Sequence, residues 1–437
     1  MTKTMTAAAA LLAGLGTPAS AAAQDLTADD VRASHYPYED GVPSFEGLEP
    51  GMTIDQSNWE AFAEVIDPAM QKAIVEGMAT ITVGETTSFA LHDSYVAATQ
   101  EHLNTARLGD APGQLVGYVA GRPFPGQPSA DDPDAGRKLA FNFKYGYNFG
   151  DGASIDPFVW KYRDMKTGKV ERELKWSFHF LKLMHRTTDA PVPAFDSNPS
   201  DIYRGTYAIV QEPFDVKNTQ LLIQRYDDDT KRDDAWLYLG FQRRVRRLAT
   251  GQITDSFLGS DNTVEDFEGY NGRISDMDWR YKGDKLALLP FYNHNDMDLS
   301  DEGVDGFNYV DFEGQGGCFP AVTWQLRKVA EVEAVPIDEG HPLSKRLYYY
   351  DYETATLART VMYDRKGALW KTQIVGQSHS DHHLPTNLGK GVPLDDSASV
   401  IDFQSQRCTT LQFRSRTGPE FAERDLFTVQ NLRTKGR

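Results

Sequence analysis

His379, Asp381, His382 and His383 are the densest group of metal-ligating side chains in the sequence. Imidazole and carboxylate suit a divalent ion, and Gly376 and Pro385 place the group in a loop. Neighbouring residues on an extended segment point apart, however, so two of the four at most could share one ion. The expectation is a polar exposed loop. Upstream, Gly376-Gln377-Ser378-His379-Ser380 approaches the nucleophile pattern Gly-x-Ser-x-Gly but ends on Ser380, where the strand-to-helix elbow needs glycine. Asp296-Met297-Asp298-Leu299-Ser300-Asp301-Glu302-Gly303 invites a calcium reading. Counted from Asp298, the position that requires a bidentate Glu is Tyr309. A solvated acidic loop is the expectation there. The basic run is Arg243-Arg244-Val245-Arg246-Arg247, whose guanidinium groups could pair with carboxylates such as Asp233 and Asp234 or grip an anionic head group or a partner.

The elements that must position these groups change period along the chain. Ser57-Asn58-Trp59-Glu60 reads as a capping box opening a helix with Trp59, Phe62, Ala63 and Ile66 on one face, and Pro68 kinks or restarts it. A second helix is expected from about Asp93 to Leu108, with Val96, Leu103 and Ala106 inward, followed by a long loop to about residue 138. Phe141, Phe143, Tyr145, Tyr147 and Phe149 alternate with polar residues and read as a strand, although Phe141, Tyr145 and Phe149 also align on a helix.

Phe158 to Arg163 and Leu174 to Leu183 flank the turn Lys166-Thr167-Gly168-Lys169, with Leu174, Trp176, Phe178 and Phe180 on one side of the second strand. Further strands are expected at 206–210, 221–226, 236–245, 285–291, 324–335, 345–352, 357–363, 368–375, 400–403 and 410–413. An acidic, glycine-bearing excursion fills 251–280. The fold class expected is mainly β (α+β), built on a large antiparallel sheet with a few helices.

The totals narrow the function classes. Lys and Arg sum to 45 against 63 Asp and Glu, a formal net charge of -18, which repels phosphate backbones and argues against nucleic acid. The 23 Phe, 20 Tyr and 7 Trp supply a large core and exclude a disordered chain. No apolar run approaches the roughly 20 residues needed to span a bilayer. Lys3, the apolar stretch Ala7 to Leu15 and the small residues Ala19 to Ala23 read as a signal peptide, residues 1–23, with no cysteine for a lipid anchor. The expectation is a periplasmic protein with one domain over 24–437. Cys318 and Cys408 either form one disulfide closing a loop of about 90 residues or stay as two buried thiols.

Several of these residues carry a resemblance. Asp233-Asp234-Ala235-Trp236-Leu237-Tyr238-Leu239 and the arginine run after it resemble a segment of outer-membrane lipoprotein-sorting-like proteins. Gly121-Arg122-Pro123-Phe124-Pro125, Trp324 to Glu333, His341 to Asp351 and Tyr363 to Trp370 are similar to one branch, a periplasmic domain family of unknown function in the LolA/LolB-like superfamily. The likeness runs roughly from residue 40 to 376. It implies a half-open antiparallel β-barrel whose concave face is covered by helices and holds a hydrophobic ligand. It also implies association with an inner-membrane RND-type (MMPL-like) exporter, and neither catalytic residues nor a cofactor.

On that reading the cavity candidates are Trp176, Phe178, Phe180, Trp236, Tyr238, Trp324 and Tyr349, and Arg244 and Arg246 are candidates for head-group or partner contact. A lipid carrier or adaptor is the leading expectation. A sensor of mislocalised lipid, and a metal-dependent hydrolase on His379, His382 and His383, are the alternatives.

Overall fold

The computed structural model describes residues 25–240, 242–248, 253–297, 299 and 306–435. The expected signal peptide lies outside them, as do Asp298 and Ser300 to Gly303 of the acidic loop. No helix among the described residues is long and apolar enough to cross a membrane.

The N-terminal third carries α1 (Ala28–His35), β1 (Thr53–Ile54), α2 (Pro68–Val75), β2 (Ile81–Val83), α3 (Asp93–Glu101), β3 (Arg107–Leu108), β4 (Leu115–Val116) and α4 (Ala135–Lys144). A meander follows: β5 (Gly152–Asp164), β6 (Val170–Lys182), β7 (Ile202–Glu212), β8 (Gln220–Tyr226), β9 (Asp234–Leu239) and β10 (Arg244–Arg247). After a long excursion come β11 (Met277–Leu289), β12 (Phe312–Glu313), β13 (Phe319–Pro320) and β14 (Thr323–Pro336). β15 (Leu343–Asp351), β16 (Leu357–Asp364), β17 (Leu369–His379), β18 (Pro393–Asp402), β19 (Arg407–Thr417) and α5 (Val429–Lys435) complete the chain.

Fifteen strands join in one sheet, ordered β1-β2-β14-β15-β16-β17-β18-β19-β5-β6-β7-β8-β9-β10, with β11 on the free side of β14. All the long neighbours are antiparallel, whereas β2 meets the start of β14 in parallel. The sheet must curl strongly. Thr206 on β7 and Val375 on β17 are five strands apart, about 24 Å on a flat sheet, yet both line one cavity of about 40 Å³. Among the described residues it does not close, because β10 pairs only with β9 and β11 only with β14. The result is the half-open antiparallel barrel expected, mostly β.

Alternation along each strand gives the sheet two apolar faces. Val375 and Phe178 look into the concave side, whereas Ile374, Tyr349 and Trp324 look out to a second core beneath α2. That outer core holds the Cys318–Cys408 disulfide, with Cα atoms 5.9 Å apart, which resolves the two alternatives left by the sequence. α5 covers the outside of β8 and β9, while α4 packs on the concave side against Ala330, Val332 and Tyr348.

Four local expectations are corrected. Residues 135–144 are a helix, not the start of a strand over 141–149. The run Ala135 to Ala140 contains good helix formers, and Gly136 lets the helix approach the Trp279 carbonyl, where a Cβ would come within 2.5 Å. Ser57 does not cap a helix: Asp55 takes its amide and hydroxyl at 2.8 and 2.6 Å, and Trp59–Val65 is a 3₁₀ segment. Pro68 does restart the chain as a helix, on the Asp67 cap.

The helix at Asp93 ends at Glu101 and buries Tyr95 and Thr99, since Arg107 and Leu108 leave to pair with β4. The strand expected over 236–245 is two strands, turned around Arg243 at φ 51°.

Candidate ligand-binding site

The concave side is lined by aromatic residues delivered in register. The β5–β6 hairpin sets Phe158 opposite Trp176 and Trp160 opposite Leu174, and β19 sets Phe413 opposite Phe158. Ring centroids lie 4.4 Å apart for Phe158–Phe413, 5.1 Å for Phe158–Phe178 and 5.8 Å for Trp160–Trp176, so one aromatic wall runs across three strands.

The side chains that fill the space against this wall do not come from the sheet. They come from residues 253–276, which run between the two open sheet edges, β10 and β11. Phe257 stacks on Trp176 at 5.8 Å, and Phe267 meets Trp160 edge-on at 6.0 Å. What remains is the cavity of about 40 Å³, room for a water or two and far below the roughly 300 Å³ of ordinary ligand pockets. At the mouth, on the other side of the same segment, lies a cavity of about 480 Å³. Leu221, Ile223, Ala235, Leu248 and Val264 give it an apolar floor, and Arg232, Arg273, Asp276, Asp338 and His341 a charged rim.

Ion pairs hold the inserted segment down. Arg204 on β7 grips Glu268 at 2.9 and 3.0 Å. Arg346 on β15 reaches Glu265 and Asp266, each at 2.7 Å, and His341 meets Glu265 at 3.0 Å. Gln373 on β17 donates to the Asp266 carbonyl at 2.9 Å. Burial alone would raise the Glu265 carboxyl, but Arg346 and His341 outweigh it and hold it at about 2. Asp395 goes the other way. Burial, reinforced by the Glu268 charge, lifts it to about 7, although Asn148 and Gln377 donate to it. Several buried polar atoms on the concave side have no hydrogen-bond partner: Trp160 Nε1 and Gln373 Oε1 beside the inner cavity, and Nε and Nη1 of Arg346 beside Tyr270.

The seven cavity candidates do not converge. Phe178 and Phe180 line the inner cavity, and Trp176 stands in the same concave cluster. Trp236 and Tyr238 face outward beneath α5, and Trp324 and Tyr349 face outward beneath α2. Alternation tells which residues of a strand share a face, but not which face of the sheet is concave.

Phe158 and Trp160, missed as cavity residues, follow from the hairpin turn at Lys166 to Lys169, which puts them on the same face as the β6 aromatics. Arg244 and Arg246 are exposed on the edge strand, on the concave face with Leu237 and Leu239. Arg247 pairs with Asp234, while Asp233 pairs with Arg225 rather than with the run.

The histidine cluster is dispersed. His379 Nε2 reaches the Ala90 carbonyl at 3.0 Å, His382 is exposed, and His383 turns inward to Asp396. Among the described residues, His294, His383 and Asp396 form a group whose ligand atoms lie within 4.8 Å of one another. Its spacings are those of hydrogen bonds, 2.7 Å from His294 Nδ1 and 2.9 Å from His383 Nε2 to the two Asp396 oxygens.

Asn387, oriented by Ser415 O and Thr417 N, points its amide N–H at His383 Nδ1 at 3.3 Å. The His383 proton therefore sits on Nε2, and that nitrogen has no lone pair free for an ion. Burial opposes charge on His294, but Asp396 raises its pKa, so the group reads as a buried ion pair with His383 as a second hydrogen-bond partner of Asp396. Ser378 accepts from the His294 amide at 3.1 Å and is no exposed nucleophile.

Several known proteins are similar to parts of this chain. A crystal structure of a candidate outer membrane lipoprotein-sorting protein domain from Vibrio parahaemolyticus superposes with a TM-score of 0.47 at 18% identity, covering 69% of this chain and 100% of its own. A DUF1329 family protein from Desulfovibrio piger gives 0.46 at 18% identity, covering 69% and 99%. An uncharacterized protein of Pseudomonas aeruginosa is 30% identical over 189 residues, 41% of this chain, and the match spans only 38% of that relative. The family described as protein of unknown function (DUF1329) matches residues 53–433, and the chain belongs to it.

Proposed function

We propose that this protein binds a hydrophobic, lipid-sized molecule in the concave interior of its half-open barrel and serves as a periplasmic carrier or adaptor. The observation that carries the reading is that the aromatic wall is filled by Phe257 and Phe267 of a strap crossing the barrel's opening. A continuous core needs no such strap. A displaceable strap leaves a groove open to the mouth cavity.

The energies permit exchange. Exposing two phenylalanines costs roughly 3–6 kcal/mol, whereas burying an acyl chain yields about 0.8 kcal/mol per CH₂. A chain of about eight buried methylenes therefore offsets the two displaced rings, and the strap's ion pairs with Arg204 and Arg346 must be replaced in addition. Exchange with an RND/MMPL-type membrane exporter is the finer part of the proposal. Its support is the motif resemblance over roughly residues 40–376, and co-purification with such an exporter would test it.

The decisive experiment is native mass spectrometry on protein purified from a periplasm, followed by organic extraction. A bound lipid released by solvent is the expected result. An apo mass, with no uptake from a panel of lipids, would sink the reading.

A further inference from the structure

Residues 265–268, Glu-Asp-Phe-Glu, put three carboxylates around one inserted ring. Phe267 enters the aromatic wall, Glu265 and Asp266 go to Arg346, and Glu268 goes to Arg204. Both arginines sit on the concave face of the sheet, with side chains 2% and 17% exposed respectively. Among the described residues, every carboxylate in ion-pair contact with either one belongs to the strap. The remaining carboxyl of the sheet that lines the inner cavity, Asp395, has its own donors in Asn148 and Gln377.

We infer that the strap is a built-in stand-in for the ligand, and that the ligand is therefore an anionic amphiphile: an apolar body carrying a carboxylate or phosphate that takes over Arg204 and Arg346. The inference rests on the carrier reading above and names its ligand class. A neutral lipid that displaced the strap would strand two cations in an apolar interior, a penalty of about two to four powers of ten in affinity for each one left buried. An anionic head group avoids it. Arg346 is prepared for such a group, because its Nε and Nη1 have no acceptor while the strap is in place, and an anion's oxygens supply them.

The test uses the delipidated full chain and three probes sharing one saturated acyl chain: the fatty acid, the lysophosphatidic acid and the neutral monoacylglycerol. Both anionic probes are expected to bind at least about tenfold tighter than the neutral one. Arg204→Gln should bring that ratio towards one, because it removes both the anion's partner and the cation that a neutral probe would strand. Glu268→Gln, a change on the strap with no predicted loss of ligand contact, should tighten anionic binding about tenfold by weakening the competitor.

A preference for the carboxylate or for the phosphate supports the inference either way and identifies the head group. Equal binding of the neutral probe by the unaltered protein overturns the ligand class and leaves the carrier reading standing. Binding of none of the three overturns both.

Discussion

Glu268 and Arg204 meet through two parallel contacts, Oε1 to Nη2 at 2.9 Å and Oε2 to Nη1 at 3.0 Å, across the opening of the barrel. The geometry is the paired fork that makes arginine–carboxylate contacts specific. Glu268 achieves it with φ at 57°, a left-handed conformation unfavourable for a side chain of its kind. The ion pair thus holds the strap at a residue whose backbone is in the left-handed region.

Breaking that pair should loosen the strap more than the barrel. Glu268→Gln keeps the shape and removes the charge, a loss of roughly 1–3 kcal/mol for a mostly buried charge-assisted contact. Amide exchange across 253–276 should then rise by about tenfold or more, while the β5–β6 hairpin keeps its protection. A uniform rise over the whole sheet would show that the segment is part of the cooperative core and not a strap.

Asp395 makes stability depend on pH near neutrality. Its folded value is raised from the ordinary aspartate range to about 7, so its contribution is fully present below pH ~4 and is lost as pH rises through about 7. Asp395→Asn removes the ionisation while leaving an acceptor for Asn148 and Gln377. The variant should unfold at the same temperature as the parent near pH 4, and be roughly 2–4 kcal/mol more stable at pH 8. Parallel stability curves across that range would refute the raised value.

How much of this was legible beforehand divides along a physical line. Local alternation and turn chemistry located the β5–β6 hairpin and most long strands, because a strand's period and a tight turn are properties of a few neighbouring residues. The aromatic candidates on β6 share one face for that reason. Trp236 and Trp324 were indistinguishable from Trp176 by pattern, since the side of a curled sheet is decided by covering elements far away in sequence. The strap was hidden for a related reason. Residues 251–280 look like a solvated acidic loop until Arg204 and Arg346, 64 and 80 residues from their partners Glu268 and Asp266, are brought opposite them.

The disulfide is expected to matter for folding rather than for the site. Cys318 and Cys408 are separated by 90 residues, and in the chain-entropy model a crosslink of that span contributes roughly 4 kcal/mol. Cys318→Ser with Cys408→Ser, or reduction, should lower the denaturation midpoint by a comparable free energy. Ligand uptake at low temperature should persist, because the bridge lies in the outer core beneath α2 and not on the concave side. Loss of binding in a still folded double variant would contradict that placement.

Asp396 joins two histidines in the interior, and its removal should be among the most damaging single changes. Asp396→Asn leaves His294 buried without its counter-charge, at a cost of roughly 3–5 kcal/mol. The signs give a window. The depressed Asp396 contributes above its ordinary value near pH 4 and loses that contribution as pH falls. The raised His294 contributes below its ordinary value near 6.5 and loses it as pH rises through its folded value. The stability difference between parent and variant should therefore peak between about pH 4 and 6.5. Zinc added to the parent should leave its unfolding temperature unchanged, since His383 Nε2 carries its proton. A zinc-dependent rise that disappears in Asp396→Asn would reverse that assignment and make the trio a metal centre.

The two tryptophans chosen alike by sequence should now behave differently. Trp176 is fully buried in the concave cluster and stacks on Phe257 of the strap, whereas Trp236 packs outward beneath α5. Truncating either to alanine removes a large buried ring and lowers stability, by roughly 3–5 kcal/mol for the fully buried Trp176 and by less for the partly exposed Trp236. Loading with a hydrophobic probe, measured well below each variant's unfolding temperature, should fall for Trp176→Ala and stay at the parental level for Trp236→Ala. Equal loading by both would mean that the ligand does not contact the aromatic wall. Loss confined to Trp236→Ala would move the binding site to the outer face, under the C-terminal helix.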